Sequence, residues 1–282
     1  MKKRTSLKGR DSMKMRIGFD LFGSEKKDTP TENTAEKCTS SEEETPVRSV
    51  VSVYFPKRGF ACSYYNDSFN LKEGDLVFVD GKLEGLIGVV EEVSLSFKIK
   101  ISDYKRVIGR ADTSVCGELF FGENTFIAFD RGVISYEKVR SWLLPPTDED
   151  EFVCGKDDVF YPIKMPNTFK ASAAVIERGA EYFKSGNVAY RYLDGTKAKA
   201  LVLGSEVYEV EFEFKNGEVG NFGCGCWCSG ICKHDVAAAM ALDRALETIG
   251  EEYSDLYDKS GYFAVVDREL FESRAIASKK RG

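Results

Sequence analysis

The chain has 282 residues, of which 43% are hydrophobic and 30% are charged, so it can bury a sizeable core. Its formal net charge of −6 excludes a general affinity for polyanions, although a local basic face remains compatible with it. No apolar run reaches the roughly 18 residues of a membrane span, and the basic N-terminus lacks the apolar core of a signal peptide, which predicts a cytoplasmic protein.

The first 47 residues are expected to be disordered. From residue 23 to residue 46 they are rich in Ser, Thr, Glu and Lys and contain almost no large apolar side chain. Burial therefore cannot offset the entropy that ordering would cost. The segment is interpreted either as a solvated tail or as a tether that folds on a partner.

Residues 48–113 predict a small β-barrel, because short strands separated by turn residues fill this stretch. Five strands are expected, at residues 49–56, 60–65, 76–79, 88–94 and 96–101. The last two alternate polar and apolar residues, as half-buried strands do. The stretch from Gly74 to Val90 resembles SH3-like or KOW-like barrels, in which a Gly-Asp-apolar-Val strand precedes a glycine turn and a Gly-x-Val strand. This short resemblance implies a barrel and no particular function.

Residues 114–165 are interpreted as a connector. A strand is predicted at residues 126–129, and a short helix at 135–144 with Ser135 as its N-cap. The acidic run at residues 148–151 is interpreted as a solvated loop, because it lacks the oxygen spacing and the glycine of a calcium-binding loop.

Residues 166–250 predict a second domain of α+β type, and residues 251–282 a C-terminal helix and tail. Helices are expected at 171–184 and 231–249, with Gly250 as the C-cap of the second, and a last helix at 267–276. The Asn216-Gly217 pair predicts a tight hairpin. The strands predicted in the second domain are 188–193, 199–203, 207–214 and 218–224.

Half of the eight cysteines fall within nine residues, and the single histidine of the chain follows two positions later. This clustering is typical of a metal site rather than of a disulfide framework. Zn²⁺ prefers four thiolate or imidazole ligands in a tetrahedron, and a site with four protein ligands is structural. The glycine between the first two cysteines lets the chain turn sharply, and the start of the following helix favours thiolate over thiol.

Two pairings of the cysteines are open. In the first, Cys224 and Cys226 face Cys232 and His234, with five residues in the gap. In the second, Cys228 replaces Cys224, which leaves only three residues to loop around the metal. The longer loop favours the first pairing, and Cys228 is then a spare thiol, an alternate ligand or a redox-sensitive neighbour.

The pattern Cys-x-Cys, a variable gap and Cys-x-His resembles that of the SWIM zinc-finger family. The family's frequent Cys-Lys-His, with alanine shortly after, appears here as Cys232-Lys233-His234 and Ala237. Upstream, residues 177–186 and 204–210 also look similar to bacterial members, so that the resemblance covers about residues 168–245. It implies a ββα-like finger, Zn²⁺, and DNA, RNA or other proteins as partners. The ligands that it implies are Cys224, Cys226, Cys232 and His234.

Two residues within this cluster are candidate partner contacts. Trp227 either packs against the helix or stacks on a base or anchors a partner protein. Lys233 lies between two ligands, points away from the metal and is a candidate phosphate contact. Other basic residues favour nucleic acid: Lys170, Arg178, Lys184, Arg191, Lys197 and Lys199. Carboxylates on one face of the sheet oppose it: Glu206, Glu209, Glu211 and Glu213.

The sequence predicts no enzymatic activity. The one histidine belongs to the metal cluster, which leaves none for acid–base chemistry, and no P-loop or Gly-x-Ser-x-Gly motif occurs. The predicted function is a zinc-binding accessory protein that binds DNA or RNA through its finger. The alternative is a protein–protein adaptor in which the zinc is purely structural.

Overall fold

The computed structural model describes residues 46–147 and 159–277, together with the backbone of residues 14–17. In these residues the fold is mixed α+β, with two antiparallel sheets and few helices. The acidic run at 148–151 and the basic C-terminus lie outside the described residues, as does most of the segment expected to be disordered. The strands are β1 Lys14–Ile17, β2 Ser49–Phe55, β3 Phe60–Asn66, β4 Leu76–Val79, β5 Gly88–Ser94, β6 Val107–Arg110, β7 Gly117–Phe121, β8 Thr125–Ala128, β9 Phe160–Pro162, β10 Val188–Asp194, β11 Lys197–Leu203, β12 Val207–Lys215, β13 Glu218–Cys224 and β14 Tyr262–Asp267. The helices are α1 Tyr136–Ser141, α2 Ala173–Lys184, α3 Lys233–Glu252, α4 Ser254–Ser260 and α5 Arg268–Phe271.

The smaller sheet has five strands in the order β3-β2-β5-β4-β6. Its core consists of apolar side chains from alternate positions of these strands, such as Val51, Val53 and Phe55 on β2. The two edge strands meet only at an isolated bridge between Tyr65 and Arg106. The sequence predicts a barrel here, whereas the strand pairing is that of an open sheet.

The prediction of a strand at residues 96–101 is wrong. β5 ends at Ser94, residues 95–100 form neither helix nor strand, and Ile101–Asp103 is a single 3₁₀ turn. A strand needs a neighbour to accept and donate its hydrogen bonds, and alternation in the sequence does not provide one.

The larger sheet has nine strands in the order β1-β7-β8-β14-β10-β11-β12-β13-β9. It takes β7 and β8 from the predicted connector and β14 from the predicted C-terminal segment, and β14 lies between β8 and β10. At one edge, β1 pairs with β7, although it belongs to the segment expected to be disordered. This sheet therefore joins parts of the chain that the sequence assigns to different segments.

Helices cover both faces of the larger sheet. α3 packs with its alanine-rich side against one face and α2 packs on α3, while the apolar residues of α1 and α5 cover the other face together with Trp142. α3 continues through Gly250 to Glu252, so the prediction that Gly250 ends it is wrong. None of the described helices combines the length and the apolar character that crossing a bilayer requires.

Candidate metal centre

The β12–β13 hairpin carries the first cysteine to the site. Asn216 and Gly217 form its turn with φ angles of 53° and 80°, the left-handed pair of a type I′ turn. β13 then runs to Cys224, which lies opposite Val210 on β12. The backbone N–H of Gly225 donates to the carbonyl of Glu209 at 3.0 Å, which fixes the chain just before Cys226.

The start of α3 carries the other two ligand candidates. Cys232 is the N-cap, and its Sγ accepts a hydrogen bond from the backbone N–H of His234 at 3.3 Å. In return, Oδ2 of Asp235 accepts from the backbone N–H of Cys232 at 2.7 Å. This capping box holds Cys232 and His234 at the first turn of the helix, where backbone N–H groups favour thiolate.

These elements bring Cys224, Cys226, Cys232 and His234 together, with all their ligand atoms within 4.8 Å of one another. Nδ1 of His234 lies 3.6 Å from Sγ of Cys224 and 3.6 Å from Sγ of Cys232. Around a tetrahedral zinc with bonds of about 2.3 Å to sulfur and about 2.0 Å to nitrogen, the sulfur–nitrogen distance is about 3.5 Å. The donor set and its spacing therefore fit a metal ion.

Two aromatic rings orient the imidazole. The ring of Tyr208 stacks on His234 with centroids 3.9 Å apart and an interplanar angle of 17°, and the ring of Tyr182 meets it edge-on at 5.5 Å. Nε2 of His234 is buried and has no hydrogen-bond partner among the described residues. Aromatic packing thus does what a carboxylate or carbonyl partner does in many metal sites.

The protonation of the metal-free groups follows from their burial. Burial, and then the charge of Lys233, lower the pKa of His234 to about 4, so the imidazole is neutral and already a competent ligand. Burial raises the pKa of Cys226 to about 11, and a hydrogen bond with Cys224 together with burial raises the pKa of Cys232 far above its ordinary value. Metal binding must therefore release protons from these thiols.

Cys228 is exposed and lies outside the cluster. We therefore expect Cys228→Ser to leave the metal content unchanged at one ion per chain, measured by elemental mass spectrometry after dialysis. Cys226→Ser is the matched control, two positions away on the same loop, and it should lose metal. Loss of metal from Cys228→Ser would instead assign the ligand pair to Cys226 and Cys228.

The structure places the two candidate contact residues differently. Trp227 is fully exposed, with a relative exposure of 105%, so it packs neither against α3 nor in the core. Lys233 is held by the protein: its Nζ donates to the hydroxyl of Tyr182 at 2.8 Å and lies 4.3 Å from the centre of that ring. Of the two, only Trp227 stands free for a partner.

The structure pairs only some of the predicted basic and acidic residues. Lys199 pairs with Glu211, and Lys197 lies opposite Glu213 on the neighbouring strand. Glu209 accepts hydrogen bonds from Tyr136 at 2.6 Å and from Arg140 at 2.7 Å. Arg191 is buried, whereas Lys170, Arg178 and Lys184 are exposed.

Three residues that position the candidate ligands were not predicted from the sequence, namely Tyr182, Tyr208 and Asp235. An acidic residue three positions after an N-cap is the usual sign of a capping box, and it was present at Asp235. Nothing local marks Tyr182 and Tyr208, since both reach His234 from other elements.

Comparisons with protein-family models, curated proteins and solved structures find no match to this chain.

Proposed function

We propose that this chain is a zinc-binding accessory protein that binds nucleic acid, DNA or RNA, at the loop between its two ligand pairs. The observation that carries the proposal is Trp227, which is fully exposed between ligands Cys226 and Cys232. Exposing an indole to water is unfavourable, and indole rings stack well on unpaired bases. Single-stranded nucleic acid is therefore the first probe.

Zinc is the metal of the proposal, because three thiolates and one imidazole in a tetrahedral spacing are the donors that Zn²⁺ prefers. All four coordination positions come from the chain, so the proposal assigns the ion a structural role and no catalysis. We also propose a cytoplasmic location, because thiols stay reduced there and none of the six described cysteines is in a disulfide.

The proposal also assigns the finger to the SWIM type and the smaller sheet to the SH3-like or KOW-like group. Support for the first is the ββα order of β12, β13 and α3 with ligands at the end of β13 and the start of α3. Support for the second is the bridge between Tyr65 and Arg106, which brings the edge strands of the small sheet together.

Phosphate contacts would come from α2, which packs directly on α3. Arg178 and Lys184 are exposed on this helix and form no ion pair with another described residue. The acidic strands oppose nucleic acid less than their sequence implies, because Arg140 and Lys199 pair with two of the carboxylates. A strand of nucleic acid could then lie along α2 with a base on Trp227.

Trp227→Ala should weaken binding of single-stranded DNA or RNA by about fivefold to about a hundredfold, the range expected for one lost base stack. Fluorescence anisotropy of labelled oligonucleotides, at low and moderate salt, measures the change. Affinity that falls steeply with salt would indicate phosphate contacts. Met165→Ala, which also removes an exposed apolar side chain, is the control and should bind as the wild type does.

Tryptophan fluorescence gives an independent readout, because the chain has two tryptophans and the other, Trp142, is fully buried. Iodide should quench Trp227 in the free protein and should quench it less in the complex. Absence of binding to any oligonucleotide at low salt would contradict the nucleic-acid proposal.

The second candidate is a protein–protein adaptor with the same structural zinc. The observation that favours it is the acidic setting of two cations on β11, because Lys199 pairs with Glu211 and Lys197 lies opposite Glu213. An exposed tryptophan is also the side chain most typical of a protein hot spot. Retention of a protein partner that Trp227→Ala no longer retains, without binding of oligonucleotides, would support the adaptor.

A further inference from the structure

The end of β5 and the segment after it expose a large hydrophobic side chain at every second position. These side chains are between 36% and 65% exposed, and they are Val93, Leu95, Phe97, Ile99 and Ile101. Alternation of this kind is the pattern of a strand with one apolar face, yet residues 95–100 form neither helix nor strand. Exposed apolar side chains that lie together are typical of an interaction surface.

One edge of β5 is free where it leads into this segment. β5 pairs with β2 as far as Ser94. On its other side, backbone pairing ends at Val90, whose N–H donates to the carbonyl of Asp75 at 2.9 Å. From Glu91 onwards, the edge that faces away from β2 has no backbone partner among the described residues. A free edge of this kind pairs readily with another extended strand.

Four charged residues flank the exposed apolar side chains, and their signs are ordered along the chain. Glu91 and Glu92 come first and Lys98 and Lys100 follow, so residues 91–101 have a net charge of 2 − 2 = 0. All four side chains are exposed, and none forms an ion pair with another described residue. Such a surface favours neither an acidic nor a basic partner as a whole. It favours a strand that carries the opposite order of charges.

The segment itself carries that order when two copies run antiparallel. With Leu95 of both copies on a twofold axis, residues 92–98 of one copy lie opposite residues 98–92 of the other. Each pair then joins an acid to a base, an apolar residue to an apolar residue or a hydroxyl to a hydroxyl: Glu92 with Lys98, Val93 with Phe97, and Ser94 with Ser96. Self-complementarity of this kind is what an interface between identical subunits requires.

The segment can extend into a strand because its contacts are replaceable. Two exposed hydrogen bonds and one aromatic contact tether it, from the N–H of Ser96 to Oγ of Ser94 at 3.1 Å, from the N–H of Lys98 to the hydroxyl of Tyr104 at 3.3 Å, and between the rings of Phe97 and Tyr65 with centroids 6.1 Å apart. Carbonyl groups of a second strand can accept from the same N–H groups. The 3₁₀ turn Ile101–Asp103 lies beyond the paired residues and can remain as it is.

We infer that the protein forms a twofold dimer through the free edge of β5, in which residues 92–98 of two copies pair as antiparallel strands. The small sheets of the two copies then continue into one sheet across the axis. Their apolar side chains contact one another near Leu95, and each end of the pairing holds one contact between Glu92 and Lys98.

Other occupants fit this surface less well. An acidic segment would face Glu92, and a basic one would face Lys98. Nucleic acid would meet two carboxylates and aliphatic side chains that cannot stack on bases. A bilayer would have to accept unpaired main-chain groups and four charges. A foreign strand would need the same alternation and the same order of charges, both of which the chain itself supplies.

Sedimentation equilibrium of the zinc-loaded full chain tests the dimer, and we expect the mass to rise from monomer to dimer with concentration. Glu92→Lys alone and Lys98→Glu alone should each raise the dissociation constant about tenfold or more, because each puts like charges opposite one another at both ends. The matched controls are Glu84→Lys and Lys57→Glu, which reverse exposed charges in other loops of the small sheet and should dimerise as the wild type does.

A mixture of the two variants distinguishes this pairing from any other mode of association. Glu92→Lys mixed with Lys98→Glu should form a heterodimer about as stable as the wild-type dimer, because both ends again join a lysine to a glutamate. Hydrogen exchange at residues 92–98 of the wild type should slow as its concentration rises. A wild type that stays monomeric, a dimer that neither substitution weakens, or a mixture that stays monomeric would each overturn the proposal.

Discussion

Replacing His234 with alanine should remove the bound metal and lower the free energy of unfolding by about 3 kcal/mol or more. A metal present at a thousandfold excess over its dissociation constant contributes about 4 kcal/mol to a protein that binds it only when folded. The substitution also leaves a gap between the rings of Tyr208 and Tyr182, which lie 3.9 Å and 5.5 Å from the imidazole. Both effects act in the same direction.

Urea denaturation with and without a strong chelator separates the two effects. In zinc, the variant should be less stable than the wild type by the sum of metal loss and lost packing. In chelator, only the packing difference should remain. Hydrogen exchange should increase most at the end of β13 and the first turn of α3, which the ligands connect. A variant that keeps one zinc per chain and unfolds as the wild type does would show that the ligand assignment is wrong.

The clustering of three cysteines and one histidine was predictable from the sequence because its members are close in the chain. Cys224 ends the second strand of the hairpin that Asn216-Gly217 predicts, and Cys226 follows two residues later. Cys232 and His234 lie at the start of a helix. Local rules for turns and helix starts therefore suffice to bring the cluster together. The helix start at Ser135 is confirmed for the same reason, since its hydroxyl accepts from the backbone N–H of Lys138 at 3.3 Å.

The order of the larger sheet was not predictable, because distant parts of the chain pair in it. β14 pairs with β8 and with β10. Its sequence, Tyr262-Phe-Ala-Val-Val, is as compatible with a buried helix as with a buried strand. The reverse error occurs at residues 96–101, where the local pattern is that of a strand and the fold supplies no neighbour. In both cases the sequence does not show which strand, if any, pairs with the segment.

The orientation of His234 also depends on residues from other elements of the fold. Tyr182 comes from α2 and Tyr208 from β12, so neither spacing nor composition connects them to the ligand. α2 can approach α3 closely because it contains a glycine at its contact. Gly179 is buried, and a Cβ atom on it would lie 2.5 Å from Cβ of Val236 and 2.9 Å from the carbonyl oxygen of Lys233.

Gly179→Ala should therefore destabilise the protein by about 1–3 kcal/mol, the usual cost of overpacking a core. Within a helix the same change is otherwise stabilising by about 1 kcal/mol, because alanine loses less backbone entropy than glycine. Steric contact should prevail at this position, since the atoms that a Cβ would meet are a backbone oxygen and a branched side chain close to its own backbone. Neither can move without shifting α3.

Gly250→Ala is the matched control, because Gly250 also lies inside a helix but is exposed, and a Cβ atom there would meet nothing within 4 Å. It should stabilise the protein by up to about 1 kcal/mol, so the two substitutions should have opposite signs in the same urea titration. Zinc affinity, measured by competition with a chromophoric chelator, should fall for Gly179→Ala only. A displaced α2 moves Tyr182 away from His234 and Lys233, whereas the end of α3 has no contact with the ligands. Equal stabilisation by both substitutions would show that α2 does not pack on the metal centre as described, and the support of His234 by Tyr182 would lose its basis.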